Sequence, residues 1–138
     1  MGAHEATTIL TATNEEKAMK AARAFIQECL DEDGNSAYNG TLSTCHGIDV
    51  DRTTRPNGKP LTLEQAEKRI FGFFERCSAT DPQAVPKYIW KDGVGSVVGH
   101  ERHVNGTAEK WGPAILIRVR IKGSGNARKW LLAGWAAA

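Results

Sequence analysis

No two cysteines in this chain sit close enough to chelate a metal or staple a small fold. Cys29, Cys45 and Cys77 are an odd number at wide spacing, which fits neither a disulfide framework nor a CxxC zinc site. The expectation is reduced, packed thiols, no metal and a cytoplasmic protein. No run approaches the ~20 apolar residues of a membrane helix, and MGAHEATTILTATNEE has no basic region followed by an apolar block, so neither a membrane nor a secretory signal is expected. A charge excess is missing too. Eighteen Lys and Arg face sixteen Asp and Glu, for a net charge of +2, and bulk electrostatics give no pull toward nucleic acid. The expected partners therefore exclude nucleic acid and membranes.

What the 138 residues do contain is enough apolar content, 41%, for one core and one domain spanning 1–138. Residues 1–13 are expected to be a flexible N-terminus. Thr13 and Glu16 read as a capping box, followed by Ala18, Met19, Ala22, Phe25, Ile26, Cys29 and Leu30 at helical spacing until Gly34. A second box, Thr62 to Gln65, opens a helix with Ala66, Ile70, Phe73, Phe74 and Cys77 as its apolar stripe, ending before Asp81-Pro82. Residues 34–60, rich in Gly, Asn, Asp, Thr and Pro, read as loop with a short strand.

From Ala84 the apolar period changes from about 3.6 to 2. Runs at 84–90, 95–104, 107–122 and 127–135 are separated by Lys91-Asp92-Gly93, Asn105-Gly106 and Gly123-Ser124-Gly125-Asn126, all hairpin chemistry. They predict an antiparallel meander. Gly112-Pro113 interrupts the third run as a bend that curves the sheet, and the closing Ala136-Ala137-Ala138 has the composition of an appended tail. Two helices followed by a curved sheet bury both apolar stripes on its concave side, giving an α+β cone on two to three N-terminal helices. Alternation puts Ile115, Ile117, Val119 and Ile121 inside, and Leu116, Arg118, Arg120 and Lys122 outside.

This order of elements resembles the nuclear transport factor two-like superfamily, which includes SnoaL-like polyketide cyclases, limonene epoxide hydrolase and scytalone dehydratase. GKPLTLEQAEKRIFGFF is similar to the family's G-x-x-x-I-x-x-F-F third helix, and ARKWLLAGW stands where the family has its final strand. HERHV is similar to the E-R-x-D strand of the epoxide hydrolase branch through Glu101 and Arg102, but Val104 replaces the aspartate. No second aspartate follows in 131–135. The carboxylate pair that activates water in that branch is therefore missing, and epoxide hydrolysis is less expected than isomerisation, cyclisation or dehydration.

The resemblance implies an arginine facing inward, so His100 and Arg102 line the cavity while Glu101 and His103 face out. An inward arginine needs an anionic partner, for which Asp49 and Asp51 are the nearest in sequence. The implied enzyme is cofactor-free and binds a small hydrophobic, polyketide- or terpenoid-like molecule. His100 moves the proton, Arg102 steadies negative charge, and Tyr38 and one of Asp49 or Asp51 orient the substrate. Ile115, Ile117, Val119, Val98, Val104, Trp90 and Phe74 would form the apolar wall. A homodimer through the outer sheet face at Leu116 is also implied.

The structural reading of the same residues is a strand histidine and arginine that are partners in a structural network. The matching functional alternative is a non-catalytic ligand-binding or dimeric assembly module. A cavity with converging polar groups favours the enzyme, and a closed, packed interior favours the module. Cys45-His46 point to opposite strand faces and make a poor nucleophile pair. GVGSVVG lacks the third glycine and the helix of a dinucleotide fingerprint. DVDRTTRPNGKP lacks the glycine and terminal glutamate of a calcium loop. Arg118, Arg120, Lys122, Arg128 and Lys129 read as a solvated basic face, for which nucleic-acid binding would demand salt-sensitive affinity.

Overall fold

A computed structural model describes residues 2–33 and 39–137. The elements are β1 (Ala3–Thr11), α1 (Glu15–Asp33), a single 3-10 turn (Leu42–Thr44), β2 (Ile48–Asp51), β3 (Leu61–Thr62), α2 (Leu63–Phe71), β4 (Gly72–Cys77), β5 (Val85–Lys91), β6 (Val94–Asn105), β7 (Ala114–Arg120) and β8 (Lys129–Ala137). The fold is α+β. Among the described residues no helix is long and apolar enough to cross a membrane.

Two runs organise the main sheet: AILI at the start of β7 and WLLA within β8, both buried at every position. They pair antiparallel, with Ile115 opposite Ala133, Leu116 opposite Leu132 and Ile117 opposite Leu131. Because successive side chains point to opposite faces, a continuously apolar strand pair needs cover on both sides. On one side Leu116, Trp130 and Leu132 pack with Ala18 and Ala22 of α1 and with Leu42 and Cys45. On the other, Ile115, Ile117, Val119, Leu131 and Ala133 pack with Ala66, Ile70 and Phe71 of α2. The two helices thus lie on opposite faces, and the expectation that both stripes share one concave side is corrected. Leu116, assigned to an outer face, is fully buried.

The sheet runs β1-β8-β7-β2, with β3 also on β7. β2 and β3 both pair parallel to β7, at Ile48 to Asp51 against Ala114 to Ile117 and at Leu61-Thr62 against Val119-Arg120. The sheet is open and mixed. The N-terminus expected to be flexible is instead β1, paired with β8 from Ala3–Ala137 to Thr11–Lys129. Its alternation, with Ala6 and Leu10 turned to the core, is too weak in apolar content to announce a strand. Ala136 and Ala137 are completely buried, and the Ala137 N–H donates to Thr44 Oγ1 at 2.9 Å. That part of the apparent tail belongs to the core.

The helix starts are close to those expected. Asn14, one residue after Thr13, caps α1, its Oδ1 accepting from the Lys17 N–H at 2.8 Å. Thr62 and Gln65 form the reciprocal box on α2, at 3.2 and 3.0 Å. The end of α2 differs. Gly72 at φ 88 stops the helix, and Gly72 to Cys77, expected as its last turns, form β4. A side chain at Gly72 would strike the Val104 carbonyl, and one at Gly106 would strike the Ile70 carbonyl. The chain can turn from helix into strand here only because both positions lack Cβ.

The strands after 84 lie where expected, but they are no single meander. β5 and β6 pair with β4 in a separate sheet of order β4-β6-β5, and β6 does not pair with β7. Residues 106–113, which contain Gly112-Pro113, carry the chain from one sheet to the other.

Leu132→Ala should lower stability by about 2–5 kcal/mol in urea denaturation, whereas Ile9→Ala, 40% exposed, should cost under about 1 kcal/mol. Gly72→Ala combines a left-handed backbone with a collision and should cost at least about 2 kcal/mol.

Candidate functional site

Strand β6 carries the charged residues singled out from the sequence, and its pairing decides what they face. Arg102 lies opposite Glu75 of β4, and His100 lies opposite Cys77 and Pro86. Arg102 Nε donates to Glu75 Oε1 at 2.6 Å, its Nη2 pairs with the same oxygen, and its Nη1 reaches Asp81 Oδ2 at 3.3 Å. Glu75 and Asp81 hold the Arg102 guanidinium still more firmly protonated than usual, the hydrogen bond to Glu75 being the larger influence. Two carboxylates already saturate this cation, so it is not an open anion site.

The Arg102 side chain is 43% exposed, which corrects its assignment to a closed hollow. Asp49 and Asp51 were the sequence candidates for its partner. Asp49 is exposed on β2, and Asp51 binds Arg69 of α2 at 2.6 Å instead. Burial pushes the Asp51 carboxyl up, but hydrogen bonds from Arg69 and Thr53 outweigh it and hold the group below the usual carboxylate range. The true partners were missed because Glu75 reads as helical in sequence, and Asp81 lies in the turn between β4 and β5.

Cys77 and His100 are cross-strand neighbours, the arrangement a nucleophile and base would use. Burial, followed by the Asp81 carboxylate, pushes the Cys77 thiol up, the wrong direction for a thiolate nucleophile. Cys45 is buried with its thiol likewise pushed up by burial, and His46 is exposed beside Trp111 at 6.2 Å between ring centroids. No group of His, Cys, Asp and Glu among the described residues could hold a metal ion.

The expected apolar wall is also dispersed. Ile115, Ile117 and Val119 are spent in the core against α2. Phe74, Trp90 and Val98 are 62, 71 and 52% exposed, and Val104 faces Phe73 across β4 and β6. Three surface hollows measure about 1210, 690 and 410 Å³, and none is lined by His100, Arg102 or Asp49. Val119 alone of the wall residues touches one of them. Tyr38 lies outside the described residues.

Among the described elements, the three-stranded sheet makes its main contact outside itself through β4 with α2. Its outer part is the β5–β6 hairpin, closed by Asp92 at φ 52 and Gly93 at φ 79, the left-handed pair that matches strand twist. Every residue of β5 is exposed, although its sequence is VPKYIWK. Between Lys87 opposite Gly99 and Tyr88 opposite Val97, β6 carries one extra residue, Val98. This bulge reverses the alternation of β6 toward the tip. Tyr88, Trp90 and Val97 therefore share one face, and Val85, Ile89 and Val94 the other. Trp90 lies over Gly95, where a Cβ would come within 3.0 Å of its ring, and beside Tyr88 at 6.0 Å between centroids. The face of Tyr88, Trp90 and Val97 is apolar toward the tip, whereas on the other Val85, Ile89 and Val94 alternate with Lys87 and Lys91.

A scan against protein-family models, a search of curated proteins and a search of solved structures each return no match to this chain. The site therefore stands on its own geometry.

Because the folded Asp51 carboxyl titrates below its unfolded value near 3.9, its ion pair with Arg69 stabilises the fold above about pH 4 and is lost as pH falls through the lower, folded value. Asp51→Asn should lower stability at pH 7 by about 1 kcal/mol and flatten the stability profile below pH 4. Urea titrations across that range provide the check.

Proposed function

We propose that the chain is a non-catalytic assembly module whose projecting hairpin is clasped by a second copy of itself. The observation that carries this reading is the exposure of Val85, Tyr88, Ile89, Trp90, Val94, Val97 and Val98, each 50% or more open to solvent. Seven such side chains present on the order of 700 Å² of apolar surface. Divided between two faces, that is about 350 Å² on each, within the roughly 300–600 Å² of the largest patch on an ordinary monomer, while the two faces together approach the ~800 Å² each partner contributes to a stable interface. Strand polarity also constrains how a partner approaches. The β5 edge carries Pro86, Lys87 and Lys91 and lies against the bulge in β6, the devices that discourage strand-to-strand addition. Lys87 and Lys91 also flank Ile89 on one face, while the face of Tyr88, Trp90 and Val97 carries no lysine.

With apolar groups on both faces, a partner has to enclose the hairpin rather than abut it. A reciprocal embrace of two copies does so with one self-complementary surface. It also removes the liability of a three-stranded sheet without a core of its own. The homodimer implied by the family resemblance therefore belongs on the hairpin. Leu116, its first proposed location, is covered by α1. A cyclase or dehydratase of the SnoaL-like kind would require His100 and Arg102 in a hollow walled by Ile115 and Ile117, and the packing of those residues favours the module.

Light scattering after size exclusion should give the wild-type protein a dimeric or larger mass at concentrations well above micromolar. Ile89→Lys with Trp90→Lys should give a folded monomer with unchanged far-ultraviolet circular dichroism. A wild-type monomer under those conditions, or a double variant that retains the wild-type mass, would overturn the proposal.

A further inference from the structure

A surface hollow of about 1210 Å³ lies where the loop before β3 and the N-terminus of α2 meet the end of β7 and the turn into β8. Its wall gathers Arg55, Lys59, Arg118, Arg120, Lys122 and Arg128, against the single carboxylate of Glu64. Glu64 is engaged by Lys68 at 3.2 Å. None of the six cations has a carboxylate partner within 4.0 Å among the described residues. Arg55 adds a second, independent feature. Its Nε donates to the Pro60 carbonyl at 3.0 Å, while its Nη2 is buried and makes no hydrogen bond. A buried guanidinium nitrogen left without an acceptor costs free energy, and the Arg55 charge is not neutralised within the described residues.

We infer that this cleft binds the phosphate backbone of a nucleic-acid duplex without reading its sequence. The β3–β7 pairing, Leu61 with Val119 and Thr62 with Arg120, brings two basic segments distant in sequence to one place. Along β7, Arg118 and Arg120 alternate onto the same strand face with Cα atoms roughly 7 Å apart, so the cations are strung along the strand. A row of cations in an open cleft suits a ligand that carries its charges in a row. No aromatic side chain lines the cleft. That removes the stacking platform on which single strands are held and leaves backbone contact, the sequence-independent part of recognition. The near-neutral net charge of the whole chain conceals this cleft because Asp and Glu are concentrated elsewhere.

Fluorescence anisotropy with a labelled mixed-sequence DNA duplex tests the inference. Three to four phosphate contacts predict a slope of about −3 for log affinity against log salt, a loss of roughly 50-fold between 50 and 200 mM. Arg118→Gln with Arg120→Gln should make the slope shallower by about two and weaken binding at least about tenfold at low salt. Lys87→Gln with Lys91→Gln, on the hairpin, should leave binding unchanged. The inference falls if the duplex does not bind at low salt, or if the two double variants weaken binding equally. It falls as well if inorganic tripolyphosphate displaces the duplex at equal phosphate concentration, which would mark a site for small polyphosphates. None of these outcomes bears on the hairpin, whose test reads mass alone.

Discussion

The burial of β7 and β8 on both faces is the constraint from which the remaining features follow. Ile115, Leu116 and Ile117 against Ala133, Leu132 and Leu131 leave no polar face on which a sheet could meet water. Each side must be closed by its own helix. Once α1 and α2 take those positions, both faces of β7 and β8 are filled by helix side chains, and His100 and Arg102 lie on the other sheet. Small residues make the closure tight: Ala18 and Ala22 on α1 and Ala66 on α2 are all fully buried, which lets helix and strand backbones approach closely.

The signal for this arrangement was present in the sequence, and a competing pattern obscured it. Continuous apolar runs such as AILI and WLLA mark strands covered on both sides. The alternation of Arg118, Arg120 and Lys122 just beyond them suggests a strand with one wet face instead. Both readings are correct for different halves of the same strand: α1 covers Leu116 but leaves Arg118 and Arg120 exposed. The capping box at Thr62 and the hairpin turn at Asp92-Gly93 were legible because each depends on residues within a few positions. The end of α2 was less so, since Phe73, Phe74 and Cys77 continue a helical spacing past Gly72. What stops the helix is the backbone conformation that Gly72 adopts against Val104, a contact made only in the folded chain.

Ion-pair partners were the least legible part of the candidate site. Choosing Asp49 or Asp51 for Arg102 rested on proximity in sequence, whereas strand register placed Glu75 opposite it and gave Asp51 to Arg69. A one-residue change of register reverses every facing residue. The bulge at Val98 does this within β6: His100 and Arg102 share a face with Val97 and Trp90 toward the tip, rather than with Val98. Alternation counted along β6 alone cannot recover that.

Exposure of the hairpin and openness of the basic cleft are two consequences of the same closed body. A fold with its interior filled can bind only through surfaces, and its surfaces differ in chemistry. Residues 85–98 present apolar side chains on two faces without a core beneath them, so in the proposed assembly the hydrophobic effect acts between chains rather than within one. The cleft presents cations whose repulsion is not relieved inside the chain, so its compensation also has to come from outside. Contacts that complete the hairpin are insensitive to salt in the range where contacts that fill the cleft are strongly weakened. Under the proposed assembly and the inferred binding, ionic strength separates the two surfaces: at high salt the apolar clasp would persist while the basic cleft would empty.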